Sequence, residues 1–184
     1  MMKAKFPGLL LLLLAALFFT CKKNDITRTD QTEVPDFQNR VTYSASGFVT
    51  DENNAAVEGA TVKMGTSTTL TDEFGYFSFT DVQVVKNAGV ITVKRNGYFN
   101  GIRTVTAEEG KPAFVRIKLS PKTIIGNIDA AAGGIVAGTN GLSVSLPPQG
   151  VVEAGSGATY TGPVNVFARW LDPSSSDILN TMPG

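Results

Sequence analysis

The sequence predicts an all-β protein, and two observations carry that prediction. Glycine (19 residues), threonine, serine and valine are plentiful, while the helix-favouring Arg, Lys, Glu and Gln are thin and scattered. From Val41 onward, short β-type segments alternate with clusters of turn residues at the spacing of a sandwich. The expected architecture is a β-sandwich, followed by a second, incomplete β module.

Composition removes several kinds of chemistry. The 184 residues carry 16 basic and 16 acidic side chains and no histidine. Without histidine there can be no Ser-His-Asp triad, Cys-His pair, histidine-ligated zinc or imidazole base. A single cysteine rules out a thiolate metal cluster. No basic stripe interleaved with aromatics is present, so nucleic acid is not an expected partner. The sequence therefore implies no cofactor, no metal and no catalytic residue.

Residues 1–20 read as a secretory signal. Met1-Met2-Lys3-Ala4-Lys5 forms a short basic region, and Phe6 to Phe19 forms a leucine-rich apolar core. A membrane-spanning helix needs roughly 20 apolar residues. This run is shorter and carries Pro7-Gly8 near its start, which favours a cleaved signal over a permanent span. Removal of Lys3 and Lys5 leaves 14 basic side chains against 16 acidic ones in the chain from Cys21.

Cys21 follows the apolar run directly and precedes Lys22-Lys23. Leu17-Phe18-Phe19-Thr20-Cys21 resembles a bacterial lipoprotein signal of the looser Bacteroidetes type, in which the cysteine becomes the acylated first residue. Thr20 departs from the glycine or alanine usual at that position, and Phe18 and Phe19 are bulkier than usual. The alternative is a secreted protein with an incidental cysteine. Against it, an exported thiol would ordinarily seek a disulfide partner, and the chain offers none. Acyl chains contribute ~0.8 kcal/mol per buried methylene, so two or three of them anchor firmly. The expected location is the cell envelope, as an outer-membrane lipoprotein on its periplasmic or surface face.

Residues 21–40 are polar, with charges of both signs and Pro35, and read as a flexible tether. Lys22-Lys23-Asn24-Asp25 resembles the lysine-plus-acid export signal of some Bacteroidetes lipoproteins, with an ordinary solvated linker the equal alternative.

The first β module spans 41–120, with strands expected near 42–50, 60–66, 75–80, 89–95, 101–106 and 113–119. Val41, Tyr43, Phe48 and Val49 supply core candidates in the first strand. Asp51-Glu52-Asn53-Asn54 is a hairpin loop. Asp72-Glu73-Phe74-Gly75 is a tight turn leading into Tyr76-Phe77-Ser78-Phe79, with Phe77 and Phe79 on one face. Val90 to Lys94 leads to an Asn96-Gly97 turn, and Phe114 to Leu119 closes the module.

Four blocks in this module carry a resemblance: Gly47 to Asp51, Val57 to Val62, Thr71 to Phe79 and Val93 to Tyr98. In order and spacing they resemble the carboxypeptidase regulatory-like domain over about 80 residues. The resemblance implies a seven-stranded immunoglobulin-like or transthyretin-like sandwich in which the motif residues are structural, and it implies no peptidase activity. Asp51, Asp72 and Glu73 are read as turn residues bonding to their own backbone, with calcium ligation as the alternative. A relative, the collagen-adhesin B-type repeat, can carry a Lys-Asn crosslink from its first strand; the first strand here has no lysine, so none is expected.

Residues 121–184 begin a second module after Ser120-Pro121-Lys122-Thr123. Ile124 to Asp129 and Gly133 to Val136 read as strands, and Gly141 to Leu146 as a strand stopped by Pro147-Pro148. Val164 to Leu171 reads as another, with Val164, Val166, Ala168 and Trp170 sharing a face. Trp170 is expected as a core anchor, with sugar stacking the sharper alternative. Gly133-Gly134, Val144 to Pro148 and Gly162 to Val166 look like the start of the ZU-five module of ankyrins and netrin receptors. Gln149-Gly150 departs from that pattern. With no closing strand before Gly184, the sequence reads as part of a longer protein.

These readings predict a non-catalytic, lipid-anchored envelope protein whose modules bind, adhere or scaffold. Its expected partners are the membrane, through Cys21, and a glycan or an envelope protein. The alternatives are the accessory N-terminal part of an envelope hydrolase, or an accessory of a TonB-dependent uptake system. Carboxylates can act alone in glycosidases, but Asp129, Glu153, Asp172 and Asp177 fall in unrelated turns, and the sequence pairs none of them.

Overall fold

Strand β1, Arg40–Thr50, shows why the chain folds as a sandwich, because its burial alternates with period two. Tyr43, Ala45, Gly47 and Val49 turn inward, and their neighbours turn out. The structure, a computed structural model, describes residues 37–182. The signal, Cys21 and the tether as far as residue 36 lie outside the described residues.

Seven strands make up the first module: β1, β2 (Thr61–Met64), β3 (Ser67–Leu70), β4 (Tyr76–Val85), β5 (Gly89–Lys94), β6 (Gly101–Val105) and β7 (Ala113–Lys118). They form two sheets. One has the order β4-β1-β7, with β4 antiparallel and β7 parallel to β1; the other has the order β3-β2-β5-β6 and is antiparallel throughout. The inward residues of both meet in a core that includes Val49, Val62, Met64, Phe77, Ile91, Val93, Ile117 and Leu119. Burying an aliphatic or aromatic side chain of this size contributes roughly 1.5–3 kcal/mol. The all-β, Ig-like sandwich is as expected from the sequence.

Two details depart from expectation. Strand β3 was not anticipated; the segment expected at 60–66 stops at Met64, and Gly65 turns the chain with a φ of +57°. Phe48 was a core candidate beside Val49, but adjacent strand residues cannot face the same side. Phe48 lies on the outer face, its ring 5.4 Å from that of Tyr76 and 5.9 Å from that of Phe114. Phe77 and Phe79 do share the inner face, with ring centroids 6.1 Å apart.

The motif blocks act as structural joints. Thr71 is a buried polar residue whose hydroxyl donates to the Val57 carbonyl at 2.6 Å and accepts the Ala60 N–H at 2.8 Å. One side chain thus ties the Val57–Ala60 block to the Thr71–Asp72 block and leaves no buried group unpaired. Gly47 lets β7 approach: a Cβ there would stand 2.2 Å from the Val115 carbonyl oxygen. Gly75 combines a φ of +73° with a Cβ position 2.4 Å from the Val49 oxygen, so neither the backbone nor the space admits another residue.

The second module is built from β8 (Ile124–Asp129), β9 (Gly134–Ala137), β10 (Ser143–Leu146) and β11 (Pro163–Phe167). They pair as two antiparallel ribbons, β9 with β10 and β8 with β11. Its buried cluster is small: Ile128, Val136 and Val166, with Ile125, Val144 and Leu146 packed against it. After β11 the chain folds back and ends, among the described residues, in a single helical turn, α1 (Ile178–Thr181).

The expected strand from Val164 to Leu171 is cut short. Its ladder with β8 shifts register between Val166 and Phe167 and ends there, so the shared face stops at Val166. Trp170 lies beyond the strand and is 38% exposed, which corrects the core-anchor expectation. With no partner strand to hold residues 168–170 in a pleat, alternation no longer carries the indole into the core.

Candidate functional site

The carboxylates singled out in the sequence fall into two groups, those occupied by turns and those facing a cleft. Asp51 Oδ1 accepts the N–H groups of Asn53 and Ala55, both at 2.8 Å. Asp72 Oδ1 accepts those of Phe74 at 2.9 Å and Tyr76 at 2.8 Å, and Asp129 Oδ1 those of Ala131 and Ala132 at 2.8 and 2.9 Å. These are Asx-type turns, in which the side chain replaces backbone partners that a sharp turn leaves unpaired. Glu153 accepts the Ser156 hydroxyl at 3.1 Å. Among the described residues no group of three or more His, Cys, Asp or Glu side chains is placed to hold a metal ion.

Glu52, Asp172 and Asp177 converge on one face, whereas Glu73 lies exposed in the turn before β4. Glu52 sits in the turn capped by Asp51, directly after β1. Lys118 ends β7 and Asp177 precedes α1; their side chains form an ion pair in which the Lys118 side chain is only 10% exposed. Asp172 Oδ1 accepts the Ser174 hydroxyl at 2.7 Å and the Ser174 N–H at 2.8 Å. Those two bonds, the hydroxyl first, hold the Asp172 carboxyl below its ordinary acidity range. The segment Asp172–Thr181 is therefore folded on itself by Asp172 and fastened to the sandwich through Lys118.

Between this segment and the end of β7 lies a cleft of about 300 Å³, whose lining includes Glu52, Lys118, Arg169, Trp170, Asp172 and Asp177. One carboxylate oxygen of Glu52, Oε2, is buried there without a hydrogen-bond partner among the described residues. A second cleft of about 350 Å³ continues past Arg169 toward Phe99 and Phe167, and a third of about 490 Å³ runs from Trp170 toward Ile125 and Leu142. Composition and motif spacing could not find this site. Glu52 and Trp170 lie more than a hundred residues apart, and no local pattern links them.

The two facing sheets place the first module in the Ig-like class of β-sandwiches. More particularly, residues 44–120 match the family model of the carboxypeptidase regulatory-like domain. Among solved structures the chain is similar in part to three proteins. One is a candidate membrane-associated protein of unknown function from Bacteroides fragilis NCTC 9343, at 18% identity over 50% of this chain and 33% of that one, with a TM-score of 0.34. Another is the Bacillus anthracis TIE protein, at 13% identity over 68% and 26%, with a TM-score of 0.35. The third is a streptococcal ancillary pilin, at 12% identity over 77% and 61%, with a TM-score of 0.34. The chain therefore spans between 26% and 61% of the length of these proteins. Among curated proteins, no relative matches. No helix of the described residues is long and apolar enough to cross a membrane.

Proposed function

We propose that this is a non-catalytic, lipid-anchored protein of the cell envelope whose β modules bind or scaffold, held at the outer membrane through acylated Cys21. The observation that carries the reading is the regulatory-like domain itself. Its motif residues Gly47, Thr71, Asp72 and Gly75 each serve a turn or a close strand contact, which leaves the motif no role in chemistry. Residues 41–120 are taken as the sandwich and 121–184 as the start of a ZU-five-like module, presented on the 21–40 tether behind a cleaved 1–20 signal. The membrane is the first partner, and a glycan or envelope protein the second.

Radiolabelled palmitate tests the anchor. The wild type should incorporate it and Cys21→Ser should not; equal labelling of the two would end the lipoprotein reading. The purified chain should show no hydrolytic turnover, and measurable turnover would favour the accessory-enzyme alternative instead.

A further inference from the structure

We propose that the cleft at Trp170 binds a neutral, linear oligosaccharide. The inference rests on reading the modules as binding modules, and it adds a location and a ligand class. Three chemically different surfaces meet in the cleft. Trp170 lines the cleft and is 38% exposed, and an indole's electron-rich face suits the apolar C–H face of a pyranose ring. Glu52 lines the cleft with a carboxylate that takes no hydrogen bond among the described residues; its Oε2 is closed to solvent, so a hydroxyl donor meets the group at its other oxygen. Arg169 offers a fork of guanidinium donors with no acceptor among the described residues, complementing the Glu52 carboxylate.

Charge and shape narrow the ligand. Lys118 pairs with Asp177 and makes no hydrogen bond to Glu52 among the described residues. The carboxylates of Glu52, Asp172 and Asp177 stand against the cations of Lys118 and Arg169, a near balance that gives a polyanion no advantage. Arg169 lines all three adjoining clefts, and Trp170 lines two of them. Clefts that share these two residues lie side by side, which suits several linked sugar rings better than one. The first cleft lies at the lower end of the roughly 300–1,000 Å³ range of ligand pockets, room for a small part of such a chain.

Trp170 is the chain's one tryptophan, so its intrinsic emission reports on this site alone. The full chain in detergent would be titrated with linear oligosaccharides of glucose, xylose, mannose and N-acetylglucosamine, read in parallel by fluorescence and calorimetry. At least one should change the emission saturably. Trp170→Ala should then bind it about tenfold more weakly, with Trp170→Phe in between. Glu52→Gln should weaken binding while leaving the thermal midpoint unchanged or raised, since the carboxylate makes no hydrogen bond among the described residues for the change to break. A merely structural Glu52 would instead lose stability and keep its ligand.

Sugar binding that neither alters the emission nor responds to Trp170→Ala would overturn the site and leave the binding-module reading standing. So would Trp170-dependent selection of a sequence from a peptide library when no sugar binds. Silence in every arm would count against both.

Discussion

The two modules of the described chain are held together by different means. The first buries a continuous core between two sheets, from Tyr43 in β1 to Leu119 after β7. The second buries a cluster of only three apolar side chains, and its polar groups are taken up by local devices: the Asp129 turn, the bond between the Asn127 and Asn165 side chains, and the Asp172 turn. Hydrophobic stabilisation scales with buried apolar area, whereas a satisfied turn chiefly avoids a penalty. Sequence motifs dense enough to match a family model lie in the module with the larger core, while the candidate ligand groups collect where less apolar surface is buried.

Breaking the larger core should give the largest effect. Phe77→Ala removes a fully buried ring from between the sheets and should cost ~3–5 kcal/mol, read as a fall in the urea midpoint. A loss below about 1 kcal/mol would mean that the ring is not the packing centre described here. Val166→Ala removes two methylene equivalents from the small cluster and should cost about 1.5 kcal/mol. Its effect should be local: amides of β8 to β11 should exchange faster while those of β1 and β5 keep their protection, and uniform loss across both modules would erase the contrast.

The smallest effect concerns Asp172, whose carboxyl is held low by the Ser174 hydroxyl and then by the Ser174 N–H. A depressed folded value means that the turn's contribution is present above the ordinary carboxylate range and is lost as pH falls through the lowered value. Carboxyl-carbon NMR titration should place Asp172 below ordinary aspartates, and Ser174→Ala should move it back up. An unmoved midpoint would show that the serine does not hold the turn.

Much of the first module was legible in the sequence because its strands alternate cleanly and its turns use diagnostic residues. Strand β3 was not, since Ser67-Thr68-Thr69-Leu70 offers no buried apolar row, and Leu70, its one large hydrophobe, is 62% exposed. Strand β4 runs to Val85 where the sequence suggested an end near residue 80. Asp81 adopts a φ of +54° within a β-bulge, its N–H bonded to the Ser44 hydroxyl, so a residue that reads as a turn passes through the strand. The cleft was hidden for a third reason. It joins the end of β7 to a segment fastened by a single ion pair, and neither periodicity nor motif spacing encodes a contact between Lys118 and Asp177.

The parallel pairing of β1 with β7 bears on how the sandwich carries load. β1 enters at Arg40, and β7 leaves beside Thr50, its final pair being Thr50 with Lys118. Entry and exit thus lie at opposite ends of the sheet, roughly 30 Å apart along β1. Tension between them pulls the two strands past each other and stresses every rung of the ladder at once, instead of peeling one rung at a time. A sheet loaded in shear must break its rungs together, so residues 40–118 resist extension along β1 better than an edge that unzips.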